Sequence, residues 1–149
     1  MTKEQRQEAR KRIKTELSRY IPLERERQQL LVEIQVLEDK RHAPGSIRMD
    51  GMPRGSSSGD AMTNGLILKE ELQARYDRMV KEMEAVQTAI EDLIDGLNPT
   101  ERKLFRHRYI EGMAWEQVCV AMSYSWRQTH NIHAKALDKL IDQSEIVNS

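Results

Sequence analysis

A chain of 149 residues with 24 basic and 24 acidic side chains carries no formal net charge. That balance removes any global attraction to nucleic acid or to an anionic surface, so such affinity must come from a local patch. The lone Cys119 excludes an internal disulfide and fits a reducing compartment. No apolar run is long enough to span a bilayer. The opening MTKEQRQEARKRIK has no apolar h-region, so a signal peptide is not expected and a cytoplasmic protein is. Glu, Lys, Arg, Gln, Leu, Met and Ala dominate, and long β-branched runs are absent. This composition predicts an all-α fold with a modest core drawn out along coiled-coil seams.

The first segment, 3–41, is helical in composition and interrupted by Pro22. Ile13, Leu17 and Tyr20 make a short apolar stripe before the proline. After it Leu23, Leu30 and Leu37 recur at heptad spacing, with Ile34 between. Pro22 is suited to the start of a second helix, where its missing N–H does no harm. Arg27 and Arg41 occupy seam positions that an apolar residue would fill better. The stretch HAPGSIRMDGMPRGSSSGDAMTNG, 42–65, is rich in Gly, Pro and Ser and has no period, which predicts a long flexible connection. Its glycines lack the Gly-Lys-Ser/Thr pattern of a phosphate loop, and no strand precedes them.

The third segment carries the clearest period. Leu72, Tyr76, Met79, Met83, Val86, Ile90, Leu93 and Leu97 alternate steps of four and three, a heptad seam. A helix over 66–95 would run roughly 45 Å, longer than the seam at 23–41. An N-terminal helical hairpin or coiled coil over 1–95 follows, with apolar surface to spare for a third helix or a second subunit. This heptad helix is where a homo-oligomer is expected to form.

Gly96 then separates off 96–149, which divides into three short helical units. The first begins at Pro99 behind Asn98 as N-cap and ends at Glu111-Gly112. The second, 114–122, places Trp115, Val118, Cys119 and Met122 at helical spacing. Ser123 and Tyr124 form a break, and Ser125 caps a last helix over 125–141. Two short helices joined by so few residues predict a helix-turn-helix. At about 100° per residue, Thr129, Ile132, His133, Ala136, Leu137 and Leu140 share the inner face of the last helix. Arg127, Asn131 and Ala134 share the outer face, flanked by His130 on one side and Gln128 and Lys135 on the other. Arg pairs bidentately with guanine, and Asn or Gln with adenine. The front of a recognition helix is where such groups are presented. Lys135 and the hydroxyls of Ser123, Tyr124 and Ser125 suit phosphates. The Trp126 ring is expected to pack at the rim of the inner face, its indole N–H available to the DNA backbone.

The segments RYIEGMAWEQVCVAM and YSWRQTHNIHAKALDKL resemble region 4 of the sigma-70 family, the part of bacterial sigma factors that reads the −35 promoter element. The matching pieces are Arg-Tyr before a Gly, Trp-Glu-Gln-Val opening the scaffold helix, and the closing Ala-Lys-Ala-Leu-Asp-Lys-Leu. Nearly the whole chain resembles a family of phage and prophage proteins of Gram-positive bacteria. These join a helical N-terminal half, a Gly/Ser-rich middle and a sigma-like helix-turn-helix, and are grouped loosely with late-gene transcription regulators. The resemblance implies double-stranded DNA as partner, a bacterial host cytoplasm, and contacts from Trp126, Arg127, Gln128, His130 and Asn131. Together with Ser125 and Lys135 these are the expected DNA-binding residues. Typical sigma helices carry several arginines here and this one keeps only Arg127, so a −35-like target is not implied. No stretch resembles the promoter-melting region 2, and a complete sigma factor is not expected.

No catalytic constellation appears: no nucleophile elbow, no His-Glu-x-x-His and no glycine-framed phosphate site. His107, Cys119, His130 and His133 lack zinc-ligand spacing, so neither a metal nor a cofactor is expected, and the chain is not read as an enzyme. The basic run EARKRIK is most simply a solvated helix side, with nonspecific phosphate contact as a minor option. The expectation is a phage-type transcriptional regulator whose N-terminal helices oligomerise or dock on RNA polymerase. Two other readings stay open: a small terminase subunit of a phage packaging machine, and a protein-interaction module that binds no DNA.

Overall fold

The computed structural model of the chain describes residues 1–42 and 57–148, and the side chains of 1–40 and 64–144. Among the described residues every regular element is helical. The helices are α1 (Lys3–Leu17), α2 (Tyr20–His42), α3 (Ser57–Ile94), α4 (Pro99–Phe105), α5 (Trp115–Met122) and α6 (Trp126–Asn148). Helix α4 continues directly into a π-helical turn, Arg106–Ile110.

Local chemistry sets the ends. Thr2 and Gln5 cap α1 reciprocally: the Thr2 hydroxyl accepts from the Gln5 N–H at 3.1 Å, and the Gln5 side chain accepts from the Thr2 N–H at 2.9 Å. Asn98 and Glu101 do the same for α4, with Pro99 opening the helix. Helix α2 begins at Tyr20, slightly ahead of the expected start, and Pro22 still falls within its first turn. Gly112 takes φ +71°, the left-handed region open to glycine, and so turns the chain from the π turn toward α5. The connection expected over 42–65 lies partly outside the described residues. Its last part, 57–65, is helical and extends α3 well ahead of 66.

The division of the chain differs from the boundary expected at 95/96. Contacts gather Met1–Leu23 with Met83–Ser149 in one compact unit and Glu24–Glu82 in another. The terminal unit is built around fourteen buried apolar residues, among them Ile13 and Leu17 of α1, Val86, Ile90 and Ile94 of α3, Leu104 and Phe105 of α4, Val118 of α5, and Leu137, Leu140 and Ile141 of α6. The stripe ahead of Pro22 thus finds its third helix in the same chain. Arg10 pairs with Asp138 at 2.6 Å, and Arg6 reaches Asp142 at 3.3 Å, so α1 and α6 run antiparallel. Sequence periodicity identifies the buried side of α1 but not the helix that covers it.

In the middle unit, the described buried apolar residues are Leu30 and Ile34 of α2 and Leu72 of α3, with Leu37 and Tyr76 beside them. Arg27, the flaw in the α2 seam, is accommodated by polar partners. It donates to Glu24 at 2.6 Å and to the Tyr76 hydroxyl at 3.1 Å. The guanidinium holds the Glu24 carboxyl below its ordinary range. Arg41 lies outside the residues whose side chains are described.

Candidate nucleic-acid interface

Helix α5 and helix α6 are joined by three residues. Ser123 adopts a left-handed conformation, φ 59° and ψ 38°, and closes α5, its N–H donating to the last carbonyls. Tyr124 follows, and Ser125 caps α6: its hydroxyl accepts from the Gln128 N–H at 3.1 Å. The Gln128 side-chain oxygen accepts in return from the Ser125 N–H at 3.2 Å. At the other end of α5 the Gln117 carboxamide oxygen accepts from the Ala114 N–H at 2.9 Å. The Ser125 hydroxyl with Gln128 marks the start of α6 and the Gln117 carboxamide that of α5, and a non-glycine left-handed residue fixes the turn between them.

The inner face of α6 is sealed. Thr129, Ala136 and Ile141 are fully buried, and Leu137 and Leu140 nearly so. The Thr129 hydroxyl donates to the Ser125 carbonyl, so this buried polar group has its partner. His133 belongs to the same face and is ringed by Phe105, Tyr109 and Trp115. Burial pushes its pKa down to about 4, with Lys14, His130, Arg108 and Arg10 adding the same tendency. Burial pushes the Tyr109 hydroxyl up to about 12. The phenol therefore keeps its proton and donates it to the neutral imidazole, oxygen to Nε2, at 2.6 Å. A further tie crosses from α6 to α4: Lys139 reaches the buried Glu101 at 2.9 Å.

The outer face carries the sequence-predicted residues, and they divide into two groups. Arg127, Asn131 and Lys135 are exposed and, among the described residues, have no side-chain partner. Ala134 is exposed on the same side. The others are already engaged. Ser125 spends its hydroxyl on the cap, and Gln128 has committed its carbonyl oxygen there, which leaves its amide N–H groups as donors. His130 is not a free flank. Its ring lies 4.4 Å from the Trp115 ring and 4.4 Å from the Trp126 ring, and its Nε2 is covered, with no hydrogen-bond partner among the described residues.

Trp126 corrects the expectation of a packed ring. It is 53% exposed and lies over His130 at the outer end of an aromatic column. At the other end the Arg108 guanidinium stands 4.7 Å from the centre of the Trp115 ring and donates to the Met113 carbonyl. The column Arg108–Trp115–His130–Trp126 escaped sequence reasoning. Its one local sign was an aromatic pair at the spacing of one helical turn, 126 and 130. The π turn that carries Arg108 and Tyr109 has no sequence signature at all.

The remaining polar residues are paired or dispersed. His107 meets Glu111 one turn on, and Arg106 meets Glu91 at 2.8 Å. Among the described residues no group of His, Cys, Asp and Glu gathers to hold a metal ion, and no helix is long and apolar enough to cross a membrane. Comparison with known proteins returns no relative. No family model, no curated protein and no solved structure matches the chain.

Proposed function

We propose that the chain is a phage- or prophage-type transcriptional regulator that reads double-stranded DNA through the front of α6 in the major groove. The observation that carries this reading is the division of α6 into a sealed side and an outward side. Arg127, Asn131 and Lys135 stand unpartnered on the outward side, in the turns just behind a capped helix start. A guanidinium and a carboxamide one turn apart can face adjacent base edges, and an ammonium a turn further on can reach a phosphate. The three-residue link from α5 favours a helix-turn-helix, with α5 crossing the backbone while α6 enters the groove. The resemblance to sigma region 4 covers the same segment.

The middle unit supplies the second half of the proposal. Arg27 meets Tyr76 and Glu38 meets Lys69, the pairing order of an antiparallel hairpin. Leu31, Val32 and Val36 of α2 and Leu66, Ile67 and Leu68 of α3 are exposed. Such a surface favours a second copy of the chain over a solitary hairpin. Two joined readers double the phosphate contacts and offset the low charge of each. RNA polymerase is the other candidate for this surface, in the bacterial cytoplasm where such a regulator works.

The test is selection of bound duplexes from a random pool, followed by measurement with Arg127→Ala. The substitution should weaken the selected duplex by about 1–3 kcal/mol and relax preference at one base position. Equal binding of the selected duplex by both proteins would falsify the assignment of the reading face.

A further inference from the structure

Helix α1 opens the chain, and its basic run looks like an ordinary solvated side. In the structure it is docked along α6. Ile13 and Leu17 face the common core, and the two edges of α1 flanking them face different neighbours. Arg10, about 60° round the helix from Ile13, is bonded to Asp138 of α6. Glu16, about 60° in the opposite sense, borders a cleft with Val86, Ala89, Ile90 and Leu93 of α3. One edge therefore belongs to α6 and the other to α3.

The α6 edge is the basic one. Beyond Arg10 it carries Lys14, about 100° from Ile13, and Lys11, about 160° in the same sense. Both are exposed. Antiparallel pairing of Arg6 with Asp142 and Arg10 with Asp138 brings Lys14, one turn further on, level with Ala134. Lys14 is close enough for its charge to act on His133. Asp138 and Asp142 continue the outer line of α6 that begins with Arg127 and Asn131. Left alone they would repel a phosphate backbone, and Arg6 and Arg10 neutralise them.

On this geometry we propose that α1 is a second arm of the interface, with Lys14 and Lys11 holding the phosphate backbone of the duplex whose groove receives the front of α6. The proposal rests on the reading of α6 as a DNA-binding helix. It accounts for how a chain of zero net charge presents a basic surface: the acids of the reading line are cancelled within the protein, and lysines stand beside it. The α1 contact carries no base information and adds affinity equally to every sequence.

The experiment uses the full chain, the selected duplex and a random duplex, across a salt series. Lys11→Gln/Lys14→Gln should weaken both duplexes by the same factor and reduce the slope of log affinity against log salt by about one to two. Lys14→Arg alone should bind like the parent. Arg12→Gln removes one charge from the α3-facing side of the same helix, about 100° from Ile13 in the other sense, and should leave the slope unchanged. An unaltered slope in the double variant, with Arg127→Ala still harmful, overturns the α1 arm and spares the α6 reading. A slope loss for Arg12→Gln of about half that of the double lysine variant, the same per charge removed, overturns it too, since the effect is then overall charge. A parent protein with no salt-dependent duplex binding overturns both.

Discussion

The two units of this chain use similar residues to different ends. In the terminal unit α1, α4, α5, α6 and the end of α3 converge on Phe105, Leu104, Ile94 and Leu17, all fully buried. In the middle unit two helices share Leu30, Ile34 and Leu72, while Val32 and Val36 on α2 and Ile67 and Leu68 on α3 face outward. Five helical segments can enclose a side chain from every direction; two can cover it only along one seam. A two-helix unit gains little from burial and leaves these apolar residues exposed. The terminal unit therefore encloses the inner side of α6 from several directions, and the proposed division of labour, reading by the terminal unit and assembly by the middle one, follows that difference.

The strongest way to break this comparison is a pair of core truncations. Phe105→Ala should cost about 3–5 kcal/mol by urea unfolding, because its cavity is walled on all sides. Ile34→Ala should cost about 2 kcal/mol, near the low end of such changes, because the seam can close over the loss. Equal losses would mean that the middle unit encloses its core as tightly as the terminal one.

Acid separates the units next. His133 is held neutral with a pKa of about 4, against 6.5 for the free side chain. Below 6.5 the unfolded chain takes up a proton that the folded terminal unit refuses, so stability falls as pH falls from about 6.5 to 4. The full effect is roughly 3 kcal/mol, of which most is lost by pH 4.5. Urea midpoints measured over this range should drop in the parent and flatten in His133→Phe. A slope that persists in that variant would place the titrating group elsewhere.

The smallest effect sharpens the picture at the start of α6. Ser125→Ala removes the hydroxyl acceptor for the Gln128 N–H. It should lower stability by about 1 kcal/mol and fray only the first turn of α6, seen as faster amide exchange there. Unchanged exchange at 126–128 would show that the α5–α6 turn, not the cap, sets the helix start.

The residues that sequence reasoning placed well are those governed by local rules. Asn98 and Ser125 are caps, and the α6 period separated Thr129, His133, Ala136, Leu137 and Leu140 from Arg127, Asn131 and Lys135. The heptad positions Leu72, Met83, Val86, Ile90 and Leu97 are all buried. What escaped is non-local. An apolar stripe on α1 does not announce that α6 will cover it. The Tyr109–His133 bond joins positions whose proximity exists only after the π turn and α6 have packed. The helical period puts Trp126 at the rim of the inner face, which leaves its ring free to turn either way. In the structure its neighbour His130 offers a ring to lie against, and one face remains in solvent. The domain boundary was placed at Gly96, where the helix ends, yet α3 contributes its last turns to the terminal unit and the contacts divide mid-helix.

The pairing of Arg10 with Asp138 spans 128 positions of sequence. A ribosome adding about 5–20 residues each second finishes α1 on the order of ten seconds before it makes α6. Through that interval Ile13 and Leu17 lack the α6 part of their cover, and the rest of the nascent chain emerges between two halves of a core that cannot yet close. Closure of the terminal core therefore waits for synthesis of α6, and a product that stops short of it would leave the α6-facing side of α1 open to solvent.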